Sequence, residues 1–229
     1  MKASLTRRSF MGTTIGAIAC YGAPGCSRKG TTMNNTEIES ASNELGMAIV
    51  ECMVGLRKTI DPGWKVYAVV LVVLDDFSDI QLYANTDQHL AETEGTDTDR
   101  WYFGGFWSEG MPVDFDALTK HLGEVEHWDE DEEPEKSNAV DWLAAMTHAM
   151  RHARDQGAFA FDGQEATIYC SMVDSLNAIW LEDLSARFLN APDAYAAAAP
   201  GIKSASSDWY QSGGDKGSSA FRAAYESRL

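Results

Sequence analysis

The sequence predicts an α+β (or α/β) domain with a small, mostly antiparallel central sheet, and three observations carry that expectation. Residues 66–86, VYAVVLVVLDDFSDIQLYANT, join nine apolar residues through a polar turn to a second, alternating run, which reads as a β-hairpin. Residues 36–60, 137–156 and 175–189 place apolar side chains three and four apart, the spacing of helices that bury one face. Residues 166–173, ATIYCSMV, supply a further strand between the second and third of those helices.

Each element has a local reason. In the first helix Ile38, Leu45, Ala48, Ile49, Cys52, Met53 and Leu56 form the apolar stripe, and Thr36 three residues before Glu39 has capping-box form. Asp61-Pro62-Gly63 ends it, because proline cannot donate to the helix and glycine accepts a left-handed turn. β-Branched residues dominate the first hairpin strand, which is apolar throughout, so both of its faces are expected to be buried. The second strand sets Ile80, Leu82 and Ala84 against the core and turns Gln81, Tyr83 and Asn85 the other way.

Short helices are expected at 88–92 and 114–122. Ala139, Trp142, Leu143, Met146, Ala149, Met150 and Ala153 make the next long stripe, which Gly157 ends. Asp162-Gly163 marks a turn. Leu176, Ile179, Trp180, Leu184 and Phe188 share a face in the helix that Asn190-Ala191-Pro192 stops. One globular domain over 36–200 is therefore expected, followed by a Ser/Gly-rich tail over 201–229 with a short terminal helix from Ser219, outside the compact domain.

The N-terminus carries a different message. Arg7-Arg8-Ser9-Phe10-Met11 heads a mild apolar stretch that ends in small residues, which resembles a twin-arginine export signal over 1–26, with 27–35 as a polar tether. That stretch is too short for the roughly 20 residues that span a bilayer. Ala23-Pro24-Gly25-Cys26 resembles a lipoprotein cleavage box, making Cys26 the lipidation candidate, with Ala17-Ile18-Ala19-Cys20 as the alternative; a start at Met33 would remove the signal. The expected location is the cell envelope or periplasm, with membrane contact only through a lipid anchor.

Charge narrows the partners. The 229 residues sum to −17, and the first 25 contribute +3 through Lys2, Arg7 and Arg8 without an acid, leaving −20 on the rest. Such a surface repels phosphate backbones, which argues against nucleic acid and for a protein partner with a basic surface. Cys52 and Cys170 both lie in apolar runs and read as ordinary buried thiols.

No nucleophile elbow, P-loop or dinucleotide fingerprint is present, so no cofactor is expected. Residues 124–135 hold eight carboxylates but lack the alternating oxygens and central glycine of a calcium loop, and they read as a solvated acidic loop. His148 and His152 stand one helical turn apart without the glutamate of a metalloprotease motif, so no metal site is expected there. Two places remain where a ligand site could be built. One is Arg100, Trp101 and Trp107, within a run of five aromatics in eight residues; the other is the hairpin turn with Asp75, Asp76 and Asp79. If these converge, a carboxylate beside an arginine and aromatics would make a pocket for a small ligand or a hydrolytic base.

Tyr67-Ala68 opening an apolar strand, Asp75-Asp76 at its turn, Asn85-Thr86 closing the next, Arg100-Trp101, Trp107 and finally Arg187-Phe188-Leu189-Asn190-Ala191-Pro192 occur in an order that resembles the bacterial domain-of-unknown-function family 4303 over roughly residues 36–200. The resemblance implies an α+β or α/β domain without established chemistry, and it suggests an immunity-type protein against secreted toxins. The expected function is thus non-enzymatic binding in the envelope, with an uncharacterised hydrolase or small-ligand domain near Arg100, Trp101 and Trp107 as the alternative.

Overall fold

The computed structural model describes residues 35–93, 99–101, 110–125, 134, 137–173, 175, 177–209 and 219–229. Among them are seven α-helices and two sheets, an α+β fold. The long helix α1 (Asn35–Thr59) leads into the hairpin β1 (Val66–Val73) and β2 (Ile80–Thr86), then α2 (Asp87–Glu92) and a 3-10 turn at Asp99–Trp101. There follow β3 (Met111–Pro112), α3 (Asp116–Leu122), α4 (Ala139–Asp155), β4 (Ala160–Phe161), β5 (Gln164–Glu165) and β6 (Thr167–Met172). The chain ends in α5 (Ala178–Leu189), α6 (Pro192–Trp209) and α7 (Ser219–Glu226).

The main sheet runs β3-β2-β1-β6. β1 pairs antiparallel with β2 from Val73↔Ile80 up to Ala68↔Asn85, where a bulge at Tyr67 shifts the register, and it pairs parallel with β6 from Ala68↔Thr167 to Val73↔Met172. Two of the three pairings are antiparallel, as expected. The parallel one requires a long crossover, which α3 and α4 supply. Asp162 and Gly163 both have positive φ, 49° and 80°, and form the two-residue turn between β4 and β5 that the sequence marked.

Alternation divides the strands between two cores. Val69, Leu71, Val73, Ile80, Leu82, Ile168, Cys170 and Met172 point to the face covered by α1 and α4. Leu45, Ile49, Met53 and Leu56 of α1 are at most 1% exposed there, and each such side chain contributes about 1.5–3 kcal/mol relative to exposure. On the opposite face Ala68, Val70, Val72 and Tyr169 pack beneath Ala198 and Ile202 of α6, with Trp101 at the margin. The first strand is buried on both faces, as its composition requires.

Two expectations need correction. The domain does not end at residue 200: Ile202 lies in the second core, and Pro192, where one helix stops, occupies the first turn of another, the position where its missing N–H costs nothing. The terminal helix is also inside. Phe221 and Tyr225 of α7 are fully buried in the main core; Tyr225 shares a 2.6 Å hydrogen bond with Thr147 and packs on Trp180 at 5.3 Å. For this reason α4 is buried nearly all round rather than along one stripe.

Candidate functional site

The clasp at Arg100 and Trp101 is built on Tyr67, which stands at the bulge in β1 and packs against the second core. The Arg100 guanidinium lies 4.4 Å above that ring, and Arg100 Nη2 pairs with Asp87 Oδ1 at 2.8 Å. Asp87 is placed by Thr86, whose side chain caps α2 through the His89 N–H at 2.9 Å. Tyr67 Oη donates to the Arg100 carbonyl at 2.7 Å, and Tyr169 Oη donates to the Trp101 carbonyl at 2.8 Å. Burial raises the pKa of both phenols, so they remain neutral donors near neutral pH. Trp101 stands edge-on to Tyr67 at 5.7 Å, and its indole occupies the space that a Cβ at Gly201 would need.

Arg100 and Trp101 are therefore fastened to the sheet by two tyrosine hydroxyls, one ion pair and one helix. Both backbone carbonyls and the Arg100 Nη2 are thereby committed to the fold. Trp107 and the aromatics beside it lie outside the described residues.

The turn acids lie elsewhere. Tyr67 is the second residue of β1 and Leu74 follows its end, a separation of roughly 23 Å at about 3.3 Å per residue. The expected convergence of Arg100 and Trp101 with Asp75, Asp76 and Asp79 on one pocket does not occur, because the hairpin holds them at opposite ends of the sheet. Within the turn, Asp76 Oδ1 accepts from the Ser78 N–H at 3.0 Å and from Ser78 Oγ at 2.5 Å, bonds that hold its carboxyl below the usual range. Asp79 Oδ2 accepts from Gln81 Nε2 at 2.6 Å, and Gln81 Oε1 accepts from Tyr83 Oη at 2.7 Å.

Phe77 adopts φ 58°, unusual for a large side chain, and is compensated by burial edge-on against Trp142 at 5.8 Å. That contact draws a second acidic segment to the turn. The Val113 N–H bonds the Ile80 carbonyl at 2.9 Å, Phe115 packs on Trp142 at 6.0 Å, and Trp142 Nε1 donates to the Gly123 carbonyl at 2.9 Å. Asp114, Asp116 and Glu124 are thereby gathered around the same aromatic center as Asp75, Asp76 and Asp79. Asp75, Asp76, Asp114, Asp116 and Glu124 are exposed, Asp79 is half-buried, and none of the six forms an ion pair among the described residues. Asn138 Nδ2 donates to the Leu122, Gly123 and Glu124 carbonyls and fixes the chain at this pole; most of the acidic stretch 124–135 lies outside the described residues.

The sequence did not single out Asp114 and Asp116. Their one signal was the Asp-Phe-Asp alternation before α3; their proximity to the turn depends on β3 pairing with β2. His148 is half-buried, with Nε2 2.9 Å from the Arg228 carbonyl and its ring edge-on to Phe188 at 5.3 Å, and no cluster of three or more metal-ligating side chains occurs among the described residues. Cys52 and Cys170 are free thiols, and burial pushes them up to about 11 and about 12. Cys26 and the N-terminal signal lie outside the described residues.

No family model, curated protein or solved structure matches the chain. No described helix is long and apolar enough to cross a membrane.

Proposed function

We propose that this is an exported, non-enzymatic binding protein of the cell envelope, whose acidic pole receives a protein partner with a basic surface. The observation that carries the reading is the set of six carboxylates around Phe77 and Trp142 that no cation of the described chain neutralises. Unpaired like charges at one pole repel one another and are relieved by a partner of opposite sign, chiefly through faster association and selection of partner. The engagement of Arg100 and Trp101 in the fold supports binding over catalysis, since the Arg100 Nη2 and both backbone carbonyls already have partners.

Export by a twin-arginine signal and acylation at Cys26 would hold this pole outside the cytoplasm. Together with the likeness to family 4303, that favours an immunity-type role against a basic secreted toxin. The decisive measurement is association of the full protein with basic envelope and secreted proteins at about 20 and about 200 mM salt, where screening lengths differ severalfold. Binding should weaken with salt and drop further when Asp75, Asp76 and Asp79 are changed together to Asn. Salt-insensitive association, or association indifferent to that triple change, would overturn the proposal.

A further inference from the structure

Helices α1 and α4 touch where Gly46 faces His152: a Cβ at residue 46 would stand 2.8 Å from His152 Cδ2 and 3.1 Å from the Ala149 carbonyl. Beside this contact they enclose, with the C-terminal turn at Ser227 and Arg228, an open groove of about 450 Å³. That volume suits a small ligand.

The charged groups lining the groove are of two kinds. Asp155 is occupied, its Oδ1 2.7 Å from Arg154 Nη2 and 3.1 Å from Arg154 Nε. Arg228 is occupied too, its Nε 2.9 Å from Oδ1 of the buried Asp141. Glu39 on α1 and Arg151 on α4 are exposed and form no ion pair among the described residues; the Arg151 guanidinium lies 5.2 Å above the Phe188 ring, which steadies it without using its donors. Opposite charges thus line one groove from different helices without neutralising each other.

We infer that this groove binds a small zwitterion, an α-amino acid or a dipeptide, with its carboxylate on Arg151 and its ammonium on Glu39. The planar guanidinium fork matches a carboxylate in a bidentate pair. Glu39 supplies the charge that a ligand ammonium needs, and the polar side chains of Asn43 and His152 line the same groove. A simple anion would face repulsion from Glu39, and a simple cation would face repulsion from Arg151. The site is remote from the acidic pole and stands independently of the partner proposed for it.

The test is an NMR titration of the full protein with L-alanyl-L-alanine, following the imidazole signals of His148 and His152. Two single-charge controls are included: N-acetyl-L-alanine, which lacks the ammonium, and L-alaninamide, which lacks the carboxylate. The dipeptide should saturate and bind more tightly than either control, and Arg151→Gln and Glu39→Gln should each weaken it about tenfold. Each variant should also erase one discrimination, Arg151→Gln that against the amide and Glu39→Gln that against the acetylated form. Equal binding of either control, indifference to both substitutions, or no saturable shift up to about 50 mM dipeptide would overturn the inference.

Discussion

The side-chain amide of Asn190 brackets the backbone of Ile168: Oδ1 accepts from its N–H at 2.9 Å and Nδ2 donates to its carbonyl at 2.7 Å. Two residues along β6, the Cys170 N–H donates to Ser185 Oγ at 2.9 Å. Helix α5 thus satisfies the outer edge of β6 with side chains and denies that edge to a second chain.

Asn190→Ala should therefore cost about 2 kcal/mol, since it strips a donor and an acceptor from partly buried backbone groups. Urea unfolding measures the loss, and light scattering should show association of the variant through the uncovered edge.

Tyr225 tests whether the C-terminal helix belongs to the core. Tyr225→Phe removes the bond to Thr147 and should cost about 1–2 kcal/mol, whereas Tyr225→Ala leaves a cavity against Trp180 and should cost about 3–5 kcal/mol. Chemical denaturation of both variants would show equal, negligible losses if the helix were merely appended.

Gly201→Ala brings a methyl group onto the Trp101 indole, which its neighbour leaves no room for. Although alanine favours a helix, overpacking should dominate, with destabilisation of about 1–3 kcal/mol and a change in the near-ultraviolet signal of Trp101.

Glu44 ties α1 to α3 through Lys120 Nζ at 2.8 Å and His121 Nε2 at 2.9 Å. The Lys120 bond first, and then the His121 bond, lower its folded pKa below the ordinary 4.5. A lowered carboxylate contributes stability above the unfolded value, and that contribution fades as pH falls through the folded one. Thermal melts of Glu44→Gln and the parent protein should differ near neutrality and converge in acid; a constant offset across that window would rule the linkage out.

The strands and long helices were legible because their periods are local: 3.6 in α1 and α4, and 2 in the 80–86 run. The terminal helix was legible from Ser219 onward, but its burial was not, although Phe221 and Tyr225 stand four apart, because a Ser/Gly-rich stretch precedes an amphipathic segment of only eight residues. Arg100 and Trp101 were singled out by the aromatic run that follows them, which lies outside the described residues, whereas their observed partners Tyr67, Asp87 and Tyr169 come from three separated segments. The acidic pole was half legible. Asp75, Asp76 and Asp79 share a turn, while Asp114, Asp116 and Glu124 join them only through the Val113–Ile80 bond and the rings around Trp142.

The pairing of β1 with both β2 and β6 carries a kinetic consequence. Val73 meets Ile80 across a short turn, whereas Ala68 meets Thr167 across about a hundred residues. The hairpin closes a small loop and the parallel seam a very large one, so the entropy of closure orders the two events in time. During that interval the β1 edge is apolar, β-branched and unpaired, and the nascent domain is most vulnerable to capture by another chain along residues 66–73.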